Sequence, residues 1–498
     1  MRAGVVGHRL AAVRSRRYAP GSVPGYDDIT RDIDDGPAGP GVGAFFDLDR
    51  TLISGFSVVP LVFDGVLRGR IGPAGLALTT VAGLRFQLGQ IGFSGLVTEA
   101  AGLLKGENET AMLEAAERLY AERIAAEVYP EARAIVRAHR RRGHTMAVVS
   151  SATRYQIEPL AQDLGIEHVL CTKLEVCDGR FTGAVTGPLC YGEGKLDAAR
   201  ELATTRGIDL AESFFYTDSD EDLPLLEHVG RPRPTNPNRK LATIAARRGW
   251  PARTFRTRGL PGVMDVVRTS LSIASIAPSL LLGVPAGALE GSWRQVINIA
   301  ATTWGELGSA LAGIRVSVSG EEHLWSHRPA VFIFNHQSAI DVLILCKLLH
   351  RDFVAISKQE VRRNPVFGPV FALAGTVFID RSDRTKAIEA MQPAVQALRE
   401  GLSIAIAPEG TRSSTGKLGR FKKGAFHIAL AARRPIVPIV IRNALDALPK
   451  HGIIARPATV DVVVHPPIAT DEWSLDTLGR EIGAIEQLYR DTLQAWSS

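Results

Sequence analysis

The chain has 498 residues, 45% hydrophobic and 22% charged, which is too long for one ordinary core and sized for two or three domains. A net charge of +6, with no long Lys/Arg block interleaved with aromatics, argues against a nucleic-acid partner and for anionic substrates or anionic lipid. The four cysteines, Cys171, Cys177, Cys190 and Cys346, form no CxxC and no His-Cys cluster, so they point to neither a disulfide framework nor a zinc site.

Residues 1–43 carry arginines, glycines and prolines without an apolar core, and read as a disordered arm with no secretory signal. Order is expected to begin at "AFFDLDRTLISG", where a short apolar strand runs into two aspartates and a turn. A second strand, "HTMAVVSSAT", follows an amphipathic stretch, and a third, "SFFYTDSDEDLPLL", ends in an acidic cluster. Strands that alternate with helical segments and end in polar residues imply a parallel sheet with its site at the strands' C-terminal edge. This first α/β unit covers 44–264.

Its residue types suggest phosphoryl chemistry. Asp47 and Asp49, two apart at a strand end, suit a nucleophile and a general acid/base. Asp218 and Asp222, with the first pair, offer carboxylates to a Mg²⁺, and Ser150 and Lys195 can hold phosphoryl oxygens. In order along the chain, "DLDRT", "VVSS", Lys195 and "DSDED" resemble the four motifs of the haloacid dehalogenase phosphatase superfamily. The resemblance implies a Rossmannoid parallel sheet with a helical cap at about 52–130. It also implies Asp47 as nucleophile, Asp49 as acid/base, Ser150 and Lys195 as phosphate holders, and Mg²⁺ at Asp47, Asp49, Asp218 and Asp222. The cap looks like that of the branch containing phosphoserine phosphatase, which carries a glutamate nine residues after its nucleophile. Here that position is Phe56, so an amine-bearing substrate is disfavoured.

From Thr269 to Leu289 run 21 residues without a charge, "TSLSIASIAPSLLLGVPAGAL", interrupted by Pro278 and Pro285. Residues 265–300 are accordingly expected to form a membrane-associating linker, as a kinked span, a re-entrant pair or an interfacial anchor.

A second α/β unit, 301–498, is expected from "GIRVSVSG", "AVFIFNHQSAID", "FVAISKQE", "GTVFIDR", "GLSIAIAPEGTR" and "PIVPIVI". In "NHQSAID", His336 and Asp341 lie five apart and meet only if a turn separates strand from helix. The histidine then suits a general base, with Asp341 setting its tautomer, and no serine motif supplies a protein nucleophile. Arg381 and the stretch Glu409, Gly410, Thr411, Arg412 can cradle a phosphate-bearing acceptor. "RSSTGKLGRFKKG" adds Lys417, Arg420, Lys422 and Lys423 without an acid, which suits cofactor phosphates or an anionic bilayer.

The blocks "NHQSAID", "GTVFIDR", "APEGTRS" and "IVPIV" resemble the glycerolipid acyltransferase family, most closely its 1-acylglycerol-3-phosphate acyltransferases. That resemblance implies acyl transfer from acyl-CoA to lysophosphatidate, without an acyl-enzyme and with His336 as base. Acyl-carrier protein is a possible donor instead. It also implies a lysophospholipid and the bilayer as partners, at the cytoplasmic face of the plasma membrane. The competing reading keeps an acyltransferase for another lysophospholipid or polyol phosphate, with the phosphatase-like half as a binding or regulatory module.

Overall fold

The computed structural model describes residues 26–69, 72, 77, 81, 93–365, 367–379 and 391–495. Structure begins earlier than the arm reading expected. Helix α1 (Asp27–Asp34) inserts Ile33 into the first core, and its carboxylates Asp32 and Asp34 pair with Arg233 and Arg141. Packing of Ile29 and Ile33 on that core, together with these ion pairs, outweighs the polar composition there.

The first sheet is built on β1 (Val42–Phe46), buried along its whole length. Helix α2 (Val58–Leu67) and α3 (Glu109–Glu122) belong to the insert that follows, and α4 (Pro130–Arg141) starts with proline at a position where the missing N–H costs nothing. Then come β2 (Thr145–Thr153), α5 (Arg154–Leu164), β3 (His168–Cys177), β4 (Arg180–Thr186), α6 (Glu193–Arg206), β5 (Asp209–Thr217) and β6 (Arg231–Pro234). The strand order is β4-β3-β2-β1-β5-β6, parallel except for the β3/β4 pair. The chain leaves β1 for β2 on one side and returns to β5 on the other, so the C-terminal ends of these three strands flank a topological switch point.

The apolar linker is two helices, α7 (Val263–Ala274) and α8 (Ile276–Glu290), broken at Ser275. The break lies three residues before Pro278, which has no N–H to bond the Ala274 carbonyl. Pro278 falls in the first turn of α8, where no intrahelical N–H is needed, and Pro285 is carried inside the helix. Helix α8 packs on α9 (Trp293–Ala312) through glycines: a Cβ on Gly283 would lie 2.5 Å from the Val296 carbonyl oxygen.

The second sheet comprises β7 (Ile314–Ser319), β8 (Val331–Phe334), β9 (Phe353–Lys358), β10 (Val377–Ile379), β11 (Ser403–Ile406), β12 (Ile436–Ile441) and β13 (Ala458–Val464). Its order is β10-β9-β11-β8-β12-β13-β7, with only β12/β13 antiparallel among the described pairs. Helices α10 (Asp341–Leu349), α11 (Gly424–Ala432) and α12 (Leu478–Ala495) cover its faces, giving apolar cores on both sides. The chain is therefore mixed α/β, with two parallel-rich sheets.

Tyr489 of α12 is fully buried; its hydroxyl donates to the Ile333 carbonyl at 2.7 Å and accepts from the Ile439 amide at 3.2 Å, tying α12 to both central strands. Tyr489→Phe is expected to cost about 1–3 kcal/mol by leaving strand groups unpaired. A denaturant midpoint equal to that of the parent protein would contradict this.

Candidate active sites

Asp47 follows β1 directly, and its amide donates to the Tyr216 carbonyl of β5 at 2.9 Å, so sheet pairing continues into the site. The Lys195 ammonium, buried at the start of α6, lies 2.8 Å from both Asp47 Oδ1 and Asp222 Oδ2. Thr217 Oγ1 donates to the same Asp222 oxygen. Burial pushes the Asp47 carboxyl up to about 7 against the pull of Lys195, and the Asp222 and Asp218 carboxylates push the same way. Burial likewise raises Asp218 to about 6, opposed by Arg50, whose guanidinium sits 3.3 Å from Asp218 Oδ2. Asp49 Oδ1 accepts the Ser57 amide at 2.8 Å, and burial raises its carboxyl against that hydrogen bond and the nearby Lys195. Ser150 is buried near the end of β2, two residues past the partner of Phe46.

Asp47, Asp218, Asp222 and Lys195 thus share one pocket at the switch point. Hard carboxylate oxygens are the donor chemistry Mg²⁺ favours. Asp222 contributes less to such a site than the sequence suggested, because one of its oxygens is held by Lys195 and Thr217. No group of three or more His, Cys, Asp or Glu side chains converges as a metal cluster among the described residues.

Sequence reasoning missed Arg50, Ser57 and Gln156. Arg50 adopts φ +58°, with its carbonyl held by the Asn236 amide at 2.7 Å, and this aims its side chain at Asp218. Gln156 donates to Ser57 Oγ at 3.0 Å, fixing the residue that holds Asp49.

At the second sheet, a turn does separate β8 from α10, and His336 Nδ1 lies 2.7 Å from Asp341 Oδ2. That oxygen also accepts the amides of Gln337 (2.8 Å) and Ser338 (2.9 Å), so it is a carboxylate acceptor and Nδ1 carries the proton. Nε2 is left as the basic nitrogen of a partly exposed ring. The turn is pinned by residues sequence reasoning passed over. Asn335 exchanges two 2.7 Å hydrogen bonds with the Ile441 backbone, Gln337 Oε1 accepts the Ala444 amide, and Ser338 Oγ donates to the Leu448 carbonyl. Their only signal was polarity immediately after an apolar strand.

Glu409 does not have the substrate-facing place expected of it. It is buried, Oε1 accepts the His336 amide at 2.8 Å and Oε2 the Gly419 amide at 2.6 Å. Burial pushes it up to about 6 against these two hydrogen bonds. It clamps the backbone of the histidine to the following loop, and Ser413 N closes the same loop onto the His336 carbonyl at 2.8 Å. Gly410 is buried, while Thr411 is exposed and Arg412 half-buried on the loop that Glu409 holds. Arg381 lies outside the described residues.

A family model for haloacid dehalogenase-like hydrolases matches residues 44–227, and one for acyltransferases matches residues 315–442. A probable phosphatase of Mycobacterium tuberculosis is 31% identical over 246 residues, 49% of this chain and 84% of that protein. The 1-acyl-sn-glycerol-3-phosphate acyltransferase of Cocos nucifera is 38% identical over 184 residues, 37% of this chain; the match spans 59% of that protein's length. The solved structure of the 1-acyl-sn-glycerophosphate acyltransferase of Thermotoga maritima is 22% identical, with a TM-score of 0.39, covering 47% of this chain and 98% of that one.

Glu409→Gln replaces one acceptor oxygen by a donor facing a backbone N–H. Turnover at the His336 site is expected to fall on the order of tenfold to a hundredfold with KM little changed, because the base is displaced while the acceptor pocket remains. A raised KM at unchanged kcat would instead mean that Glu409 meets substrate. The chain is a fusion, belonging through its N-terminal half to the haloacid dehalogenase-like hydrolases and carrying in its C-terminal half a domain of the acyltransferase family.

Proposed function

We propose that this is a membrane-associated bifunctional enzyme of phospholipid synthesis. Its C-terminal domain transfers an acyl group from acyl-CoA to lysophosphatidate, giving phosphatidate, and its N-terminal domain hydrolyses a phosphate monoester with Mg²⁺. The observation that carries the first half is the 2.7 Å His336–Asp341 pair, with Nε2 of a partly exposed ring as base.

In this reading Nε2 takes the proton of the acceptor hydroxyl as its oxygen attacks the thioester carbonyl. Asp341 stabilises the imidazolium, which then returns the proton to the departing thiolate. Arg412 and Thr411, with Arg381, are the residues proposed to hold the acceptor phosphate. In the N-terminal domain Asp47 attacks phosphorus to form an aspartyl-phosphate, Asp49 protonates the leaving oxygen and then deprotonates water, and Lys195 and Ser150 hold the phosphoryl oxygens. Asp47 and Asp218 would hold the Mg²⁺, with Asp222 fixing Lys195. The bound ion supplies charge neutralisation between the carboxylates and the phosphate dianion.

The linker supports membrane association by its inverted polarity. Ser272 Oγ donates inward to the Gly308 carbonyl at 2.8 Å, and the Trp304 indole donates to the Ser272 carbonyl at 3.0 Å. Val263, Leu271, Leu281, Leu282 and Leu289 point out, the last 89% exposed. The segment Val263–Glu290 has mean hydropathy 1.6 over its most apolar 18-residue window. An acyl-CoA donor puts this surface on the cytoplasmic face.

With lysophosphatidate and labelled acyl-CoA, the full-length protein is expected to form labelled phosphatidate, and His336→Ala to abolish it; labelling of neither phosphatidate nor any product derived from it would refute the acceptor assignment. Replacing both Leu281 and Leu282 by Asp is expected to release the protein from phospholipid vesicles in co-sedimentation. Undiminished sedimentation would place the bilayer contact elsewhere.

A further inference from the structure

Helix α2 turns its one charged side chain inward and its apolar side chains outward. Asp64 is buried, with Arg118 of α3 on both of its oxygens at 3.0 and 3.2 Å and Arg68 at 3.0 Å. Val59, Phe63 and Leu67, at four-residue steps along one face, are each more than half exposed. A helix facing water has the reverse arrangement, so this face is built to meet something apolar.

The stripe starts at the phosphoryl site. The Phe56–Ser57 peptide supplies the N–H that Asp49 Oδ1 accepts at 2.8 Å, and the Arg50 amide donates to the Gly55 carbonyl at 3.3 Å, so exposed Phe56 leads into α2 directly from the proposed acid/base. From there the ten residues of α2 carry apolar surface about 15 Å along the helix. The other end of α3 borders the acyltransferase edge. Arg118 reaches Glu122 at 3.9 Å, and Glu122 opposes the fall of Lys450, whose ammonium burial, Arg412 and Lys358 push down. A small soluble phosphate would leave the stripe in water, whereas an ester with a hydrocarbon chain covers it while its phosphate occupies the site.

We propose that the phosphatase domain acts on a phosphomonoester lipid, with the phosphate at Asp47 and Lys195 and an acyl chain laid along Phe56, Val59, Phe63 and Leu67. This rests on the phosphatase reading given above and names its substrate class. Asp47 displaces the lipid's ester oxygen from phosphorus, and Asp49 gives that oxygen its proton, releasing a lipid alcohol. Water then attacks phosphorus, returns a proton to Asp49, and frees Asp47 and inorganic phosphate. The acyl acceptor and the acyl-transfer product proposed for the neighbouring domain, lysophosphatidate and phosphatidate, both belong to this class.

The test measures phosphate release by the full-length protein with Mg²⁺ and no acyl donor, in neutral detergent micelles, from glycerol 3-phosphate, long-chain lysophosphatidate and phosphatidate. The parent is compared with the double variant Val59→Ser/Phe63→Ser and with Asp47→Asn. In the parent, kcat/KM for at least one of the two lipids is expected to exceed that for glycerol 3-phosphate about a hundredfold or more, and this ratio is expected to fall about tenfold or more in the double variant. Both substituted side chains are exposed and the ratio is internal to each protein, so a general loss of folded enzyme does not imitate the effect. Release from glycerol 3-phosphate as efficient as from both lipids would overturn the substrate class and leave the phosphatase reading standing. An unchanged ratio in the double variant would overturn the role of the stripe, and if self-association were lost at the same time the stripe would belong to a contact between copies. Release from none of the three esters, or release that survives Asp47→Asn, would overturn the phosphatase reading and this inference with it.

Discussion

Buried carboxylates that accept backbone N–H groups hold the working parts of this protein in place. Asp341 gathers the amides of Gln337 and Ser338 together with the His336 ring, and Glu409 gathers the amides of His336 and Gly419. A loop at a strand end has backbone donors that no neighbouring strand can satisfy, and each donor left buried without a partner costs free energy. Supplying a carboxylate from within the chain closes that account and fixes the loop at once. In the N-terminal domain Asp49 does the same for Ser57.

The two domains solve a common problem differently. The acyltransferase site exposes one imidazole and keeps its acids buried and hydrogen-bonded. The hydrolase site gathers Asp47, Asp218 and Asp222 around one lysine, and burial together with mutual repulsion raises Asp47 and Asp218 above the usual carboxylate range. The first arrangement suits proton transfer from a hydroxyl, the second suits attack on a phosphate with added positive charge.

Much of this was legible in the sequence because the chemistry sits where apolar strands end. "AFFDLD" and "FIFNH" each declare a buried strand followed at once by reactive side chains, and both sheets and the His336–Asp341 contact follow from that pattern. What escaped was anything decided by backbone partners or by distant contacts. Glu409 looks like a ligand for substrate in one dimension, because its partners are amides, which leave no mark on residue identity. Arg50 reaches Asp218 only because an asparagine far along the chain holds it in a left-handed conformation. The helix Asp27–Asp34 escaped because its polar composition hid the two isoleucines, Ile29 and Ile33, that dock it.

On the proposed function, one chain carries two separate catalytic edges, each held by its own buried acids. A crossed inactivation tests it most directly: acyl transfer and Mg²⁺-dependent phosphate release measured side by side on full-length Asp341→Asn and Asp47→Asn proteins. Asp341→Asn should lose acyl transfer and keep phosphate release, and Asp47→Asn should do the reverse. Loss of both activities in either variant, or of neither, would contradict the account.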